Sequence, residues 1–196
     1  GTEVVNVFFT LKERWYIFPA AYFKFVDRNL NQWWYEQNRS LERINYGIKL
    51  NWDNVSGRRD KLSFTFNNGY SRKYELFYEQ PFADRKLEKG FLAGIFYTQT
   101  RQVNYATTDS NKQVFFPLSD RLTKDFVRTT FRIETGFTIR KGVHHRHAFR
   151  LNYIDEKISD TINRIVFNNP SKGYLPYFSN FASRQRFGEL SYGYQF

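Results

Sequence analysis

From residue 41 to residue 80 the chain alternates with period two. Ile44, Tyr46, Ile48, Leu50 and Trp52 fall on one side, and Arg43, Asn45, Gly47, Lys49 and Asn51 lie between them. After a turn at Asn54-Val55-Ser56-Gly57, Leu62, Phe64 and Phe66 alternate with Ser63, Thr65 and Asn67. A second turn at Gly69-Tyr70-Ser71 leads to Tyr74, Leu76 and Tyr78, which alternate with Lys73, Glu75, Phe77 and Glu79. Successive side chains on a strand point to opposite faces, so these three predicted strands share one apolar wall and one polar, partly charged wall.

The rest of the chain repeats the pattern. A short first strand is predicted over residues 3–13, with both faces fairly apolar, and an aromatic-rich strand over Trp15–Val26, whose Pro19 suits an edge or bulge. A longer run extends from Phe91 to about Tyr105, and Ala106–Asp120 reads as a loop. Val127, Thr129, Phe131, Ile133, Thr135, Phe137 and Ile139 form the cleanest alternation, and a tight turn at Lys141-Gly142 returns the chain through His147, Phe149, Leu151 and Tyr153. A long connection over 156–183 precedes a last strand carrying Leu190, Tyr192, Tyr194 and Phe196.

Setting the first short strand aside leaves eight strands. Short connections at 54–59, 82–89 and 140–143 alternate with long ones at 27–40, 106–121 and 156–183, so long loops gather at one end and both termini fall at the other. The hairpin at 69–71 is the exception. This is the layout of an all-β, antiparallel, up-and-down transmembrane β-barrel of about eight strands with a short extra N-terminal strand.

Composition narrows the alternatives. Aromatics make up 20% of the residues, with 22 Phe and 14 Tyr, yet they are interleaved with polar groups. No run approaches the roughly 20 apolar residues of a helical membrane span. A soluble lipocalin-like barrel would turn the aromatics inward around a small ligand, whereas a membrane barrel turns them toward lipid. In the membrane reading the polar wall gathers Arg43, Lys49, Lys73, Glu75, Glu79, Arg128, Arg132, Glu134, Arg150 and Glu189 into a mixed-sign network inside the lumen. Trp15, Trp52, Tyr70, Tyr78, Tyr97, Tyr105 and Tyr153 lie near predicted strand ends, where an aromatic girdle sits. The ending on Phe196 resembles the C-terminal signal of bacterial outer-membrane barrels, which points to the outer membrane.

The formal charge of +11 is spread through nearly every segment, a footprint that does not suit nucleic acid. With no cysteine the chain has no disulfide, zinc-thiolate site or thiol nucleophile. It opens at Gly1 within a predicted strand, as expected of a mature, trimmed or partial chain. His144, His145 and His147 cluster, and two histidines at i and i+2 on a strand share a face, but no carboxylate lies near them in sequence and a polar turn is the simpler reading. Ser159, His147 and Glu156 have no spacing that fixes a triad, and neither a phosphate-binding glycine loop nor calcium-loop spacing is present. The expectation is therefore no catalytic residue, no cofactor and no metal. Arg39, Arg43, Arg121, Lys124, Lys172, Arg184 and Arg186 in or beside the long loops are placed to meet lipopolysaccharide phosphates or to be solvated.

Several short motifs carry a likeness. Val4 to Phe9, Glu13-Arg14-Trp15, Pro19, Asp27-Arg28-Asn29 and Trp33-Trp34, followed by Tyr46-Gly47, Asn54 to Gly57-Arg58 and Tyr78 to Pro81, resemble the junction between the last POTRA strand and the first barrel strands of BamA/TamA-type outer-membrane assembly factors, particularly those of Bacteroidetes-like bacteria. The resemblance covers about residues 4 to 95. It implies a POTRA-like lead-in strand over 1–14 and a barrel over 15–196, with about half the family's usual sixteen strands. The Arg-Gly-aromatic motif of the family's sixth extracellular loop is missing. The implied role is non-catalytic insertion of outer-membrane proteins or handling of lipids at a barrel seam formed by Phe18, Pro19, Tyr22, Leu190, Tyr192, Tyr194 and Phe196. Partners on this reading are outer-membrane lipids, client outer-membrane proteins or a second copy of the chain. A small structural or adhesion barrel acting through its loops is the alternative, and a lipid-modifying enzyme lacks a recognisable nucleophile or base.

Overall fold

The computed structural model describes residues 7–12, 14–25, 34–35, 43–107, 113–116, 125–142, 145–167 and 176–195. Its strands are β1 (Ile17–Phe25), β2 (Ile44–Asp53), β3 (Lys61–Gly69), β4 (Arg72–Gln80), β5 (Lys89–Thr100), β6 (Val103–Thr107), β7 (Gln113–Phe116), β8 (Arg128–Lys141), β9 (His145–Ile158) and β10 (Arg184–Gln195). Eight of them form one sheet in the order β1-β2-β3-β4-β5-β8-β9-β10, every neighbouring pair antiparallel. The all-β, up-and-down architecture expected from the alternation is therefore the one observed.

Three local features differ from the sequence reading. Residues 7–12 carry no strand pairing and are exposed to solvent, and residues 1–6 fall outside the described residues. The stretch read as a loop at 106–121 contributes to the separate β6–β7 hairpin. The connection over 156–183 contains helix α1 (Asp160–Phe167), where the Ser159 hydroxyl accepts from the Thr161 amide at 3.3 Å. Ile162 and Val166 lie on its buried side, and Ile162 packs with Val103, Val127, Ile158 and Phe178 into a small core under the long connections. Isolated short helices are marginal in water, so this packing is what holds α1 in place.

The short hairpin at 69–71 is explained by its contacts. Tyr70 is buried, its amide donates to the Ile44 carbonyl at 3.0 Å and its hydroxyl to Gln102 Oε1 at 2.6 Å. Asn45 Oδ1 accepts from the Ser71 amide at 2.8 Å. Tyr70 is thus a turn anchor and not a member of an aromatic belt. Tyr153 also departs from the belt, since it pairs across from Ile133 and Gly188 in the middle of its strand.

Candidate functional site

The register fixes which side chains share a wall. Lys49, Thr65, Glu75, Phe96, Arg132, Ile154 and Phe187 form one row across the sheet from β2 to β10, and Ile48, Phe66, Tyr74, Tyr97 and Phe131 belong to the other wall. The two walls differ in a way opposite to a soluble sheet. Ile48 is 56% exposed, and Phe64, Phe66, Leu76, Ile95, Ile133, Phe137, Phe149 and Leu151 are all exposed. On the polar wall Asn67, Glu134, Thr138, Asn152 and Glu156 are buried. Among the described residues the sheet has no further strand layer, and the contact of Arg146 on β9 with Glu79 on β4 shows the sheet curling around the polar wall, with the apolar wall left bare.

The curled wall encloses a trough of about 480 Å³ lined by residues of β4, β5, β8, β9 and β10. Mixed charges line it and the polar wall beside it. Lys73 pairs with Glu75 at 2.8 Å, Arg128 pairs with Glu156, and Glu134 lies between Arg132 and Arg150 at 3.8 Å from each. Arg132 also stacks over Phe96 at 4.0 Å. Arg146 of β9 reaches Glu79 of β4 at 3.7 Å. Close packing in the trough has a backbone counterpart at Gly94, where a Cβ would come within 2.9 Å of both Phe96 and Phe77. Lys49, Lys73, Glu75, Glu79, Arg128, Arg132, Glu134, Arg150 and Glu189 all share this wall by register. Arg43 precedes β2, and its guanidinium stacks over the Tyr70 ring at 5.9 Å.

The seam residues lie on the two end strands. β1 has β2 as its sheet neighbour and β10 has β9, so each presents one edge to which no strand of the sheet is paired. Phe18 and Tyr22 fall on the polar wall, whereas Pro19, Leu190, Tyr192 and Tyr194 fall on the apolar wall; Phe196 lies outside the described residues. Leu190 is 78% exposed.

On the apolar wall near the chain's C-terminal end, His145 Nδ1 lies 2.6 Å from the Tyr194 hydroxyl and His147 Nδ1 lies 2.9 Å from the Tyr192 hydroxyl. His147 stacks on Tyr192, and Phe149 packs against the same ring. The histidines are thus built into an aromatic ladder on the sheet, a partnership across strands that sequence spacing alone does not reveal. His144 lies outside the described residues, and among those described no group of three or more His, Asp or Glu side chains is placed to hold a metal. Of the basic residues read as belonging to the long loops, Arg184 and Arg186 instead lie in β10 and both pair with Asp155, the latter at 3.3 Å; Arg39, Arg121, Lys124 and Lys172 lie outside the described residues.

No protein-family model matches this chain. No curated protein matches it. Among solved structures it is similar to BamA from Haemophilus ducreyi lacking POTRA domains 1–3, at 14% identity and a TM-score of 0.41. That similarity covers 91% of this chain and 29% of the BamA chain. The chain spans less than a third of that structure's length.

Proposed function

We propose that this chain is the wall of a bacterial outer-membrane β-barrel that works without catalysis, in the insertion of outer-membrane proteins or the handling of lipids. The observation that carries the reading is the inversion of the two walls: large apolar side chains lie bare along the sheet while charges and amides are folded into the trough. Bare apolar patches beyond a few hundred Å² mark an interaction surface, and lipid is the partner that accepts an alternating wall of this height and extent. No described helix is long and apolar enough to cross a membrane; strands are the elements available for that role.

The edges supply the working part of the proposal. Backbone N–H and C=O groups left unpaired in hydrocarbon cost several kcal/mol each, so the edges of β1 and β10 must be covered by another strand. An edge of this kind recruits an incoming strand by main-chain hydrogen bonds, with side-chain pockets setting preference. A client outer-membrane protein, a second copy of the chain or further strands of a longer barrel all satisfy the same chemistry.

The test is expression behind a signal peptide in a Gram-negative host. The chain is expected in the outer-membrane fraction, with folded and heat-unfolded forms separating on a gel. Recovery as a detergent-independent soluble monomer would reject the proposal.

A further inference from the structure

We propose that the cavity between the turns at 54–60 and 81–88 binds the phosphate of an anionic lipid headgroup, an inference that rests on the membrane reading above. The two turns enclose a cavity of about 380 Å³, and Arg58, Arg59 and Arg85 line it together with Phe82 and Leu87. All three arginines are exposed, and none of their guanidinium groups has an ion-pair partner among the described residues. That contrasts with the trough, where arginines are paired with carboxylates.

One carboxylate, Asp84, lines the cavity with the three arginines, and Asp60 lies beside it; both are engaged by hydrogen bonds within their own turns. Asp60 is fully buried and accepts from the Ser56 amide at 2.9 Å and the Tyr78 hydroxyl at 2.8 Å. Asp84 accepts from the amides of Glu88 and Lys89, each at 2.9 Å. Glu88 does not line the cavity. The turn geometry is also specified: Arg59 and Leu87 both hold left-handed backbone, at φ of 59° and 58°, which costs energy for residues with a side chain.

Three guanidinium forks around one cavity suit a phosphate, which accepts paired N–H donors from each. The apolar part of the lining distinguishes a lipid from a free ion. Leu87 is 55% exposed, and Phe82 is held under the Arg140 guanidinium at 5.1 Å, so a glycerol backbone and the start of an acyl chain have apolar surface to lie on. The site is at the end of the sheet where the short turns gather, away from the long connections.

The experiment uses the full chain folded in maltoside micelles, whose headgroups are neutral. Dioctanoyl phosphatidylglycerol, dioctanoylglycerol and inorganic phosphate are titrated separately by calorimetry. Phosphatidylglycerol is expected to bind at least tenfold more tightly than either other probe. Arg58→Gln with Arg85→Gln should weaken it at least tenfold, while Lys157→Gln with Arg164→Gln, an equal charge loss at the opposite end, should not. Heat-modifiable gel migration verifies that each variant is folded, which separates failure of the site from failure of the membrane reading. Unchanged lipid binding in R58Q/R85Q, equal weakening in the control pair, or phosphate binding as tightly as the lipid would overturn the inference.

Discussion

Arg146 on β9 meets Glu79 on β4 at 3.7 Å although β5 and β8 lie between their strands. Three strand spacings at about 4.8 Å amount to roughly 14 Å measured along a flat sheet. Both side chains stand on the polar wall and lean toward each other over its floor, so the contact reports curvature of the whole sheet. It also shows how a narrow trough neutralises charges contributed by strands distant in sequence.

This contact predicts a measurable coupling. Glu79→Gln and Arg146→Gln should each lower stability slightly. Their double-mutant cycle should give about 0.2–1 kcal/mol, because both groups keep partial solvent access. Urea unfolding from detergent measures it, and strictly additive effects would show that the pair does not bridge the trough.

Ile133 tests the assignment of the walls. It lies near the middle of β8 on the bare wall, opposite Ile95 and Tyr153. Ile133→Arg should destabilise the protein by about 2–4 kcal/mol if this position meets the bilayer midplane. An unfolding free energy equal to the parent's in lipid vesicles would place the apolar wall in water.

Asp60 should make the 54–60 turn acid-sensitive. Burial works against its charge, but hydrogen bonds from the Ser56 amide and the Tyr78 hydroxyl outweigh that and hold the carboxyl below its ordinary value. A carboxyl depressed on folding contributes stability above its unfolded pKa of about 3.9, and that contribution is lost as pH falls through the folded value. Asp60→Ala leaves both donors without their acceptor and should cost roughly 1–3 kcal/mol at neutral pH. The acid limb of the stability curve, measured from pH 6 to pH 2, should flatten in the variant; an unaltered limb would rule out this role.

Gly47 is required by backbone proximity. A Cβ there would lie 1.9 Å from the Phe66 carbonyl oxygen of β3, whereas a Cβ at Gly193 would meet nothing within 4 Å. Gly47→Ala should therefore cost about 1–3 kcal/mol or more through displacement of the strand, and Gly193→Ala should stay within about 0.5 kcal/mol. Thermal unfolding of the two variants side by side decides this, and equal melting temperatures would contradict it.

The edge proposal has its own readout in hydrogen exchange. Added in excess, a synthetic peptide with the Arg184–Gln195 sequence should slow amide exchange in β1, because it offers an antiparallel alternating strand to the edge on which β1 has no neighbour among the described residues. Exchange in β4, which has a neighbour on each side, should not change. Equal protection of both strands, or of neither, would count against edge recruitment.

Period-two alternation determined most of the sheet. Arg128 to Lys141 was legible because each residue alternates in polarity, and the antiparallel order followed from short turns such as Lys141-Gly142. The polar set from Lys49 to Glu189 was legible for the same reason, since a strand's faces are fixed by parity alone. Parity does not say which face is covered; that was decided by curvature, a property of eight strands together, which buries Glu134 and Asn152 and leaves Ile48 and Leu151 bare. Parity also separates Phe18 and Tyr22 from Pro19 and Tyr192, though they share the two end strands. Long-range packing decided the rest. Asp160–Phe167 becomes helical because Ile162 finds Val103, Val127 and Phe178, and the cavity between the turns exists because Arg58 and Arg85, far apart in sequence, are brought together by the β3–β4 hairpin. Local sequence encodes the direction of each side chain, and only the assembled sheet determines what that side chain meets.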